Sequence, residues 1–345
     1  MTKIAFLAPL TGPESVVGIP MLHAVALAIE EAQEEGQIPF RVELVALDDR
    51  ADPQRARNLA QALIEDDEVV GVVGHKNSGP SRAAGAVYAA GGLAQITPSS
   101  TNSDLARQGW PTFFRVCATN DDQAIAAARY ALDILKVQRA AVIHDNTDYG
   151  RPLAETFIAA IHEGGAQAVL VEAIRLGQRT FEDTVNRLQK VDCDLIYFGL
   201  TEIESAFLTR ALRAAGVRAL LFGADGGRGS PFPRLAGEAA NGVYETYAGV
   251  DAWSVPGAQA FVQTYQSRYG DCPIFGPEAY DAARILLEAV RRAGAPDRSA
   301  VLREIRTLSG FAGVTGPVSF ESNGNRHHAQ VTIWQVVCGA MTRLP

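Results

Sequence analysis

The chain of 345 residues is short of the groups that carry most enzyme chemistry. Its four cysteines, Cys117, Cys193, Cys272 and Cys338, lie too far apart for any CxxC or Cys/His ligand spacing. They read as small buried apolar residues; one disulfide stays open, and no pair is singled out. His23, His75, His144, His162, His327 and His328 form no HExxH, and no GxSxG elbow supplies a serine nucleophile. The His327-His328 pair reads as surface rather than as a metal site. Positive charge is also scarce. With 31 Lys and Arg against 39 Asp and Glu, the net charge is −8, a sign that disfavours nucleic acid and anionic membrane surfaces. No apolar run reaches 18 residues, so no membrane insertion is expected. No signal peptide precedes the first strand, which fits a cytoplasmic protein or a mature form whose leader is missing.

What is present is an alternation of apolar strand-length runs and helix-period segments. The length suits two domains, and the 47% hydrophobic and 20% charged fractions are those of a globular protein. The first strands are 3–8, 41–47, 69–74, 93–97 and 113–116. Between them a helix over 21–33 ends at Gly36, a second opens on Asp52 as N-cap with Pro53 behind it, and a third opens at Ser78-Gly79-Pro80. The pattern then restarts, with strands 139–145, 166–174, 194–199 and 219–225 and helices over 152–163, 181–190 and 202–215. Continuous Val/Ile/Leu strands between helices predict α/β architecture, with two Rossmann-like domains built on parallel sheets. Helices over 258–269, 278–292 and 298–308 precede a lone strand, 331–337, so the chain is expected to return to the first domain and cross back. The domains are then 1–118 with 249–326 and 119–248 with 327–345, with crossovers near 117–120, 247–250 and 325–329.

In an open α/β sheet, ligands sit beyond the carboxyl ends of the strands. Those ends carry Lys76, Ser78, Ser99 and Thr101 in the first half, and Asp145 to Tyr149, Thr201 and Asp225 in the second. Ser78 and Thr101 each precede a helix start, so plain N-capping and anion binding are both open and compatible. GHKNSGPS (74–81) is not a Walker A loop, and the first loop is not GxGxxG. A carboxylate therefore fits better than a phosphate. Asp225 reads either as a solvated turn residue or as an anion aimed at a ligand cation. Together these residues suit a zwitterion. The run Glu65-Asp66-Asp67-Glu68 reads as a solvated helix end.

In order along the chain, IAFLAPLTGP (4–13), LDDRADPQRA (47–56), VVGHKNSGPS (72–81), ITPSSTNSDL (96–105), FFRVCATNDDQ (113–123), VIHDNTDYGRPLA (142–154), FGADG (222–226) and GPEAYDAARIL (276–286) resemble the Leu/Ile/Val-binding group of type I periplasmic binding proteins, the substrate-binding proteins of branched-chain amino acid ABC transporters. The resemblance implies two Rossmann-like domains joined by a three-strand hinge that closes on a ligand held between them. By motif position, it casts Ser78 and Thr101 as carboxylate-binding hydroxyls, and Ser99 as a backbone carbonyl for the ammonium. Tyr149 is the tyrosine that covers the ligand, and Asp225 the ammonium-binding acid, one methylene shorter than the usual glutamate. Val17 replaces an aromatic, Lys76 an apolar residue and Thr201 a tyrosine, which implies a rebuilt side-chain pocket. The family's disulfide positions hold Ala51 and Asn77, so that bridge is absent.

The function implied is a periplasmic or extracytoplasmic binding protein that delivers an amino acid or related carboxylate to an ABC permease, with no catalytic residue, cofactor or metal. The alternative is a cytoplasmic ligand sensor of the same fold.

Overall fold

The computed structural model describes residues 2–36, 38 and 41–345. Residue 1, where the sequence reading starts the first domain, lies outside them. In chain order the elements are β1 (Thr2–Ala8), α1 (Ser15–Glu34), β2 (Val42–Asp48), α2 (Pro53–Glu65), β3 (Val69–Gly74), α3 (Ser78–Ala90), β4 (Ala94–Thr97), α4 (Asp104–Arg107), β5 (Phe113–Arg115), α5 (Asn120–Asp133), β6 (Arg139–His144), α6 (Gly150–Glu163), β7 (Gln167–Ala173), α7 (Glu182–Leu188), β8 (Leu195–Gly199), α8 (Glu202–Ala214), β9 (Leu220–Ala224), α9 (Phe232–Ala236), β10 (Tyr244–Tyr247), α10 (Gln259–Tyr269), α11 (Gly276–Ala293), α12 (Arg298–Thr307), β11 (Phe311–Gly313), β12 (Gly316–Val318), β13 (Thr332–Val337) and β14 (Ala340–Arg343).

The chain forms two units, Met1–Ala118 with Gly249–Gln330, and Thr119–Ala248 with Val331–Pro345. The three crossings lie in backbone that is neither strand nor helix. Residues 327–330, given to the second domain in the sequence reading, belong to the first unit. The His327 amide donates to the Ser319 carbonyl at 2.9 Å. The buried Arg326 side chain donates to Thr315 Oγ1, Thr315 O and Pro317 O, which ties this segment down.

In the first unit, five parallel strands run in the order β2-β1-β3-β4-β5. Ala5 and Leu7 of β1 pack with Ala56, Ala60, Ala84 and Tyr88 of α2 and α3. Their neighbours Ile4, Phe6 and Ala8 are equally buried, as the alternation of a strand covered on both faces requires. Asp52 caps α2, accepting from the amides of Gln54 and Arg55, with Pro53 at the first helical position. At the other end of α2, Arg298 donates to the carbonyls of Leu63, Ile64 and Asp66, which the helix leaves unsatisfied. The acidic run there is engaged as well: Lys3 Nζ lies 2.9 Å from Asp66 and 2.7 Å from Glu68.

Helix α1 begins six residues before the expected start, because Gly18 and Pro20 read as breaks. Gly18 instead serves close packing: a Cβ there would lie 2.0 Å from the Pro9 carbonyl oxygen. The helix is long and apolar enough to cross a bilayer, contrary to the run count in the sequence. Here it is a core helix, with Met21, Ala24, Val25, Leu27 and Ala28 fully buried and its Pro20 carbonyl bonded by Tyr265.

In the second unit, seven strands run β14-β13-β10-β9-β8-β6-β7. The five from β7 to β10 are parallel, but β13 is antiparallel to β10, and β14 to β13. Cys338 and Gly339 make the two-residue turn between the last pair, both at positive φ (49° and 79°), as a hairpin of this length demands. The core on one face of the sheet includes Phe198, Leu208, Leu212 and Phe232. That on the other includes Ala127, Phe157, Tyr197 and Phe222, where the rings of Phe157 and Tyr197 stack at 3.8 Å.

All four cysteines are free thiols: Cys117 and Cys272 are buried, Cys193 half-buried and Cys338 exposed. Burial pushes the Cys272 thiol well up, and Cys193 less so. A thiol reagent should therefore count four thiols in denaturant without reductant, and modify Cys338 first in the native protein. A count of two in denaturant would reveal a disulfide.

Glu278, on the first turn of α11, is fully buried and accepts the Val250 amide at 2.6 Å. Burial pushes its carboxyl up from 4.5 to about 7, against the pull of that amide and of Arg326. Below 4.5 both folded and unfolded chains hold the proton, and between 4.5 and 7 the folded state holds it more tightly, so stability falls as pH rises through that window. Relative to wild type, Glu278→Gln should gain about 3 kcal/mol between pH 4.5 and 8, at ~1.4 kcal/mol per unit. Urea denaturation at the two pH values measures this. Parallel pH profiles would show that Glu278 ionises freely in the fold.

Candidate functional site

The first unit gathers its polar residues where β1, β3 and β4 end. Hydrogen bonds lace the loops after β3 and β4 together. Thr97 Oγ1 and Ser100 Oγ donate to the His75 carbonyl at 2.8 and 2.9 Å. Ser99 Oγ donates to the Lys76 carbonyl at 3.0 Å, and Gln95 Nε2 to the Gly74 carbonyl at 3.0 Å. Below them His75, wholly buried, bonds Asp49 at 2.7 Å and Tyr88 at 3.1 Å. Arg115, also wholly buried, reaches the carbonyls of Ser100 and Asn102, on either side of Thr101.

Neither Ser78 nor Thr101 is an N-cap. Ser78 is the first residue of α3, whose cap position is Asn77, and its Oγ accepts the Asn102 amide at 3.3 Å. The cap position of α4 is Ser103. Thr101 is fully buried, and its Oγ1 has no hydrogen-bond partner. An unpaired buried hydroxyl costs about 1–3 kcal/mol, in a loop where the other hydroxyls are used.

Lys76 is buried and engaged by Glu14, at 2.9 Å, a residue that the sequence reading passed over. Burial opposes ionisation of Glu14, but the Lys76 ammonium and the Asn77 amide at 2.7 Å outweigh it and hold the carboxyl below its usual value. Val17, in the first turn of α1, is 1% exposed and belongs to the core. So Ser78, Ser99, Thr101 and Lys76 come together, with Val17 one turn from Glu14. Elsewhere in the unit, the buried aromatic Phe275 precedes α11 at φ 57°, a left-handed conformation that nothing in its sequence context announces.

In the second unit, Asp225 follows β9 at φ 60°. Tyr149 precedes α6, and Asn120 Nδ2 holds its carbonyl at 2.9 Å. Burial, then the charge of Asp225, pushes the Tyr149 phenol well up. The same two causes act on Tyr197, which is fully buried and whose hydroxyl has no partner. Thr201 departs from expectation: it stands at the cap position of α8 but makes no capping hydrogen bond, its hydroxyl donating instead to the Glu204 carboxylate three residues on. It is committed to the helix start. Glu204 also accepts the Gly177 amide at 2.6 Å.

The sequence reading also passed over Glu245. It lies on β10, is 2% exposed, and its Oε2 has no hydrogen-bond partner. Burial, then the charges of Glu202 and Asp225, pushes its carboxyl well above the usual range. Among the described residues, no group of three His, Cys, Asp or Glu side chains is placed to hold a metal ion.

Comparison with known proteins places the chain in a family. The model described as periplasmic binding protein matches residues 2–340. The Leu/Ile/Val-binding protein homolog 3 of Brucella melitensis is 31% identical over 300 residues, covering 87% of this chain and 81% of the relative. Homolog 1 of Brucella abortus is 29% identical over 318 residues, covering 92% and 85%. The crystal structure of a leucine binding protein, LivK, from Thermotoga maritima superposes with a TM-score of 0.91 at 29% identity, covering 100% of this chain and 98% of that one. The chain belongs to the periplasmic binding protein family, in the Leu/Ile/Val-binding group of ABC transporter substrate-binding proteins with the type I fold.

Proposed function

We propose that this protein is an extracytoplasmic solute-binding protein, without enzymatic activity, that captures an amino acid or a close analogue and delivers it to an ABC permease. The observation that carries the reading is Thr101 Oγ1, a fully buried hydroxyl with no partner in a loop whose other hydroxyls are paired. A ligand carboxylate would complete it, with Ser78 beside it in the same bonded pair of loops. In the second unit, Asp225, beside the hydroxyl of Tyr149, would take the ammonium. Its relatives and structural neighbours carry the names of leucine and Leu/Ile/Val binders. Against leucine itself stand Lys76 and Glu14, a buried ion pair among these polar loops.

A thermal-shift screen of the twenty amino acids and a set of organic acids, followed by calorimetry, tests the proposal. Micromolar or tighter binding of an α-amino acid is expected. Binding of an organic acid alone would reassign the ligand, and binding of neither would overturn the reading.

A further inference from the structure

The second unit carries one more acid than an amino acid's ammonium requires. The Gly226 amide donates to the Thr246 carbonyl at 2.9 Å, which sets β10 against the loop that follows Asp225. Within that contact, Glu245 Oε2 fills the space where a Gly226 side chain would begin, 1.3 Å from the position of a Cβ. Only a glycine can follow Asp225 with the glutamate in place. A 2% exposed carboxyl whose Oε2 accepts no hydrogen bond is a costly group to keep in a strand. The charged groups that face it are Asp225 at the end of β9 and Glu202 on the first turn of α8. Its partner in register on β13 is Trp334, and β8 contributes Phe198, packed on Gly223; neither carries charge. The site thus faces carboxylates with further carboxylates. The buried hydroxyl of Tyr197, also without a partner, sits under the field of Asp225.

We infer that Glu245 is a specificity residue for a second nitrogen cation on the ligand, so that the substrate class is a diamino acid rather than an aliphatic one. This rests on the proposed function and deepens it. In the free protein, burial and the neighbouring carboxylates favour the neutral acid. A cation beside it favours the carboxylate, so binding a ligand with a second ammonium releases a proton from Glu245 to solvent. A ligand with a single ammonium is met by Asp225 and leaves Glu245 protonated.

L-Ornithine and L-norvaline test this directly, because they differ only by the terminal amine. Calorimetry on wild type at neutral pH, in two buffers of different ionisation enthalpy, should show ornithine binding at least 30-fold tighter. About one proton should be released per ornithine and none per norvaline. Ornithine affinity should rise with pH, and norvaline affinity should stay flat. Glu245→Gln should abolish the proton release and cut the ornithine preference over norvaline at least tenfold, with a circular-dichroism melt like that of wild type certifying its fold. If that variant does not fold, the two-buffer experiment on wild type decides alone. Norvaline binding as tightly as ornithine, with no proton released by either, would overturn the inference and leave the proposed function standing. Failure of both probes and of every other amino acid would overturn the proposed function, and the inference with it.

Discussion

On the proposed function, Asp225→Asn should weaken binding of an amino acid by roughly 30-fold to several-thousand-fold. The substitution removes one charge and little else. Asn tolerates the left-handed backbone that Asp225 adopts at φ 60°, so the loop keeps its path. What the proposed reading loses is the partner of a desolvated ammonium, and breaking such a pair costs about 2–5 kcal/mol, at 1.4 kcal/mol per decade of Kd. The deaminated analogue, which has no ammonium, should bind the variant about as well as it binds wild type. Thr101→Val is the counterpart. It keeps shape and burial and removes one charge-assisted hydrogen bond, worth roughly 1.5–3 kcal/mol. It should weaken both ligands alike, by roughly ten- to a hundredfold. Equal losses for both ligands in Asp225→Asn would refute the ammonium role.

The second large effect is on the loop that carries Thr101. Arg115 is fully buried, donating to Ser100 O at 3.0 Å and Asn102 O at 2.8 Å, and to Asn325 Oδ1 at 3.2 and 2.5 Å. Methionine has a comparable length and no donors. Arg115→Met strands two buried carbonyls at about 1–3 kcal/mol each and leaves the half-buried Asn325 Oδ1 to solvent, so the expected cost is about 2–6 kcal/mol and a fall in Tm of roughly 10 °C. Because the two carbonyls flank Thr101, ligand affinity should fall as well, although Arg115 is no part of the carboxylate reading. Urea denaturation and calorimetry on the same preparation measure both. A loss below 1 kcal/mol with full affinity would show that the loop is held by its serine and threonine bonds alone.

Where elements bury continuous apolar runs, the sequence was a sufficient guide. β3, with Val69 to Gly74 buried throughout, has the limits read from its residues, and so does the start of α2, because Asp52 and Pro53 act locally. β10 was missed because its four residues include Glu245 and Thr246, which read as polar loop. Only the tertiary contact with Gly226 reveals why a glutamate sits inside a sheet. β14 was missed because it hangs on a Cys-Gly turn, whose positive φ at Cys338 the residue type does not suggest.

The polar loops at the strand ends were legible as a group because the topology of an α/β sheet puts them there. The state of each hydroxyl was not. Ser78 and Thr101 both looked like caps, and both are not. Thr201 looked like a pocket residue, and its hydroxyl is spent on Glu204. Lys76 looked like a change in the pocket, and only the fold brings Glu14 to it from 62 residues away. Such partnerships are set by distance in space, which residue order does not encode.

In the proposed reading the ligand needs both its carboxylate and its α-ammonium to bind. The measurement that tests it most directly is wild-type calorimetry with three compounds: the tighter of L-leucine and L-ornithine, the same molecule without its α-amine, and the same molecule without its carboxylate. Each truncated compound is expected to bind at least 30-fold more weakly than the intact amino acid. Either truncated compound binding as tightly as the intact one would contradict it.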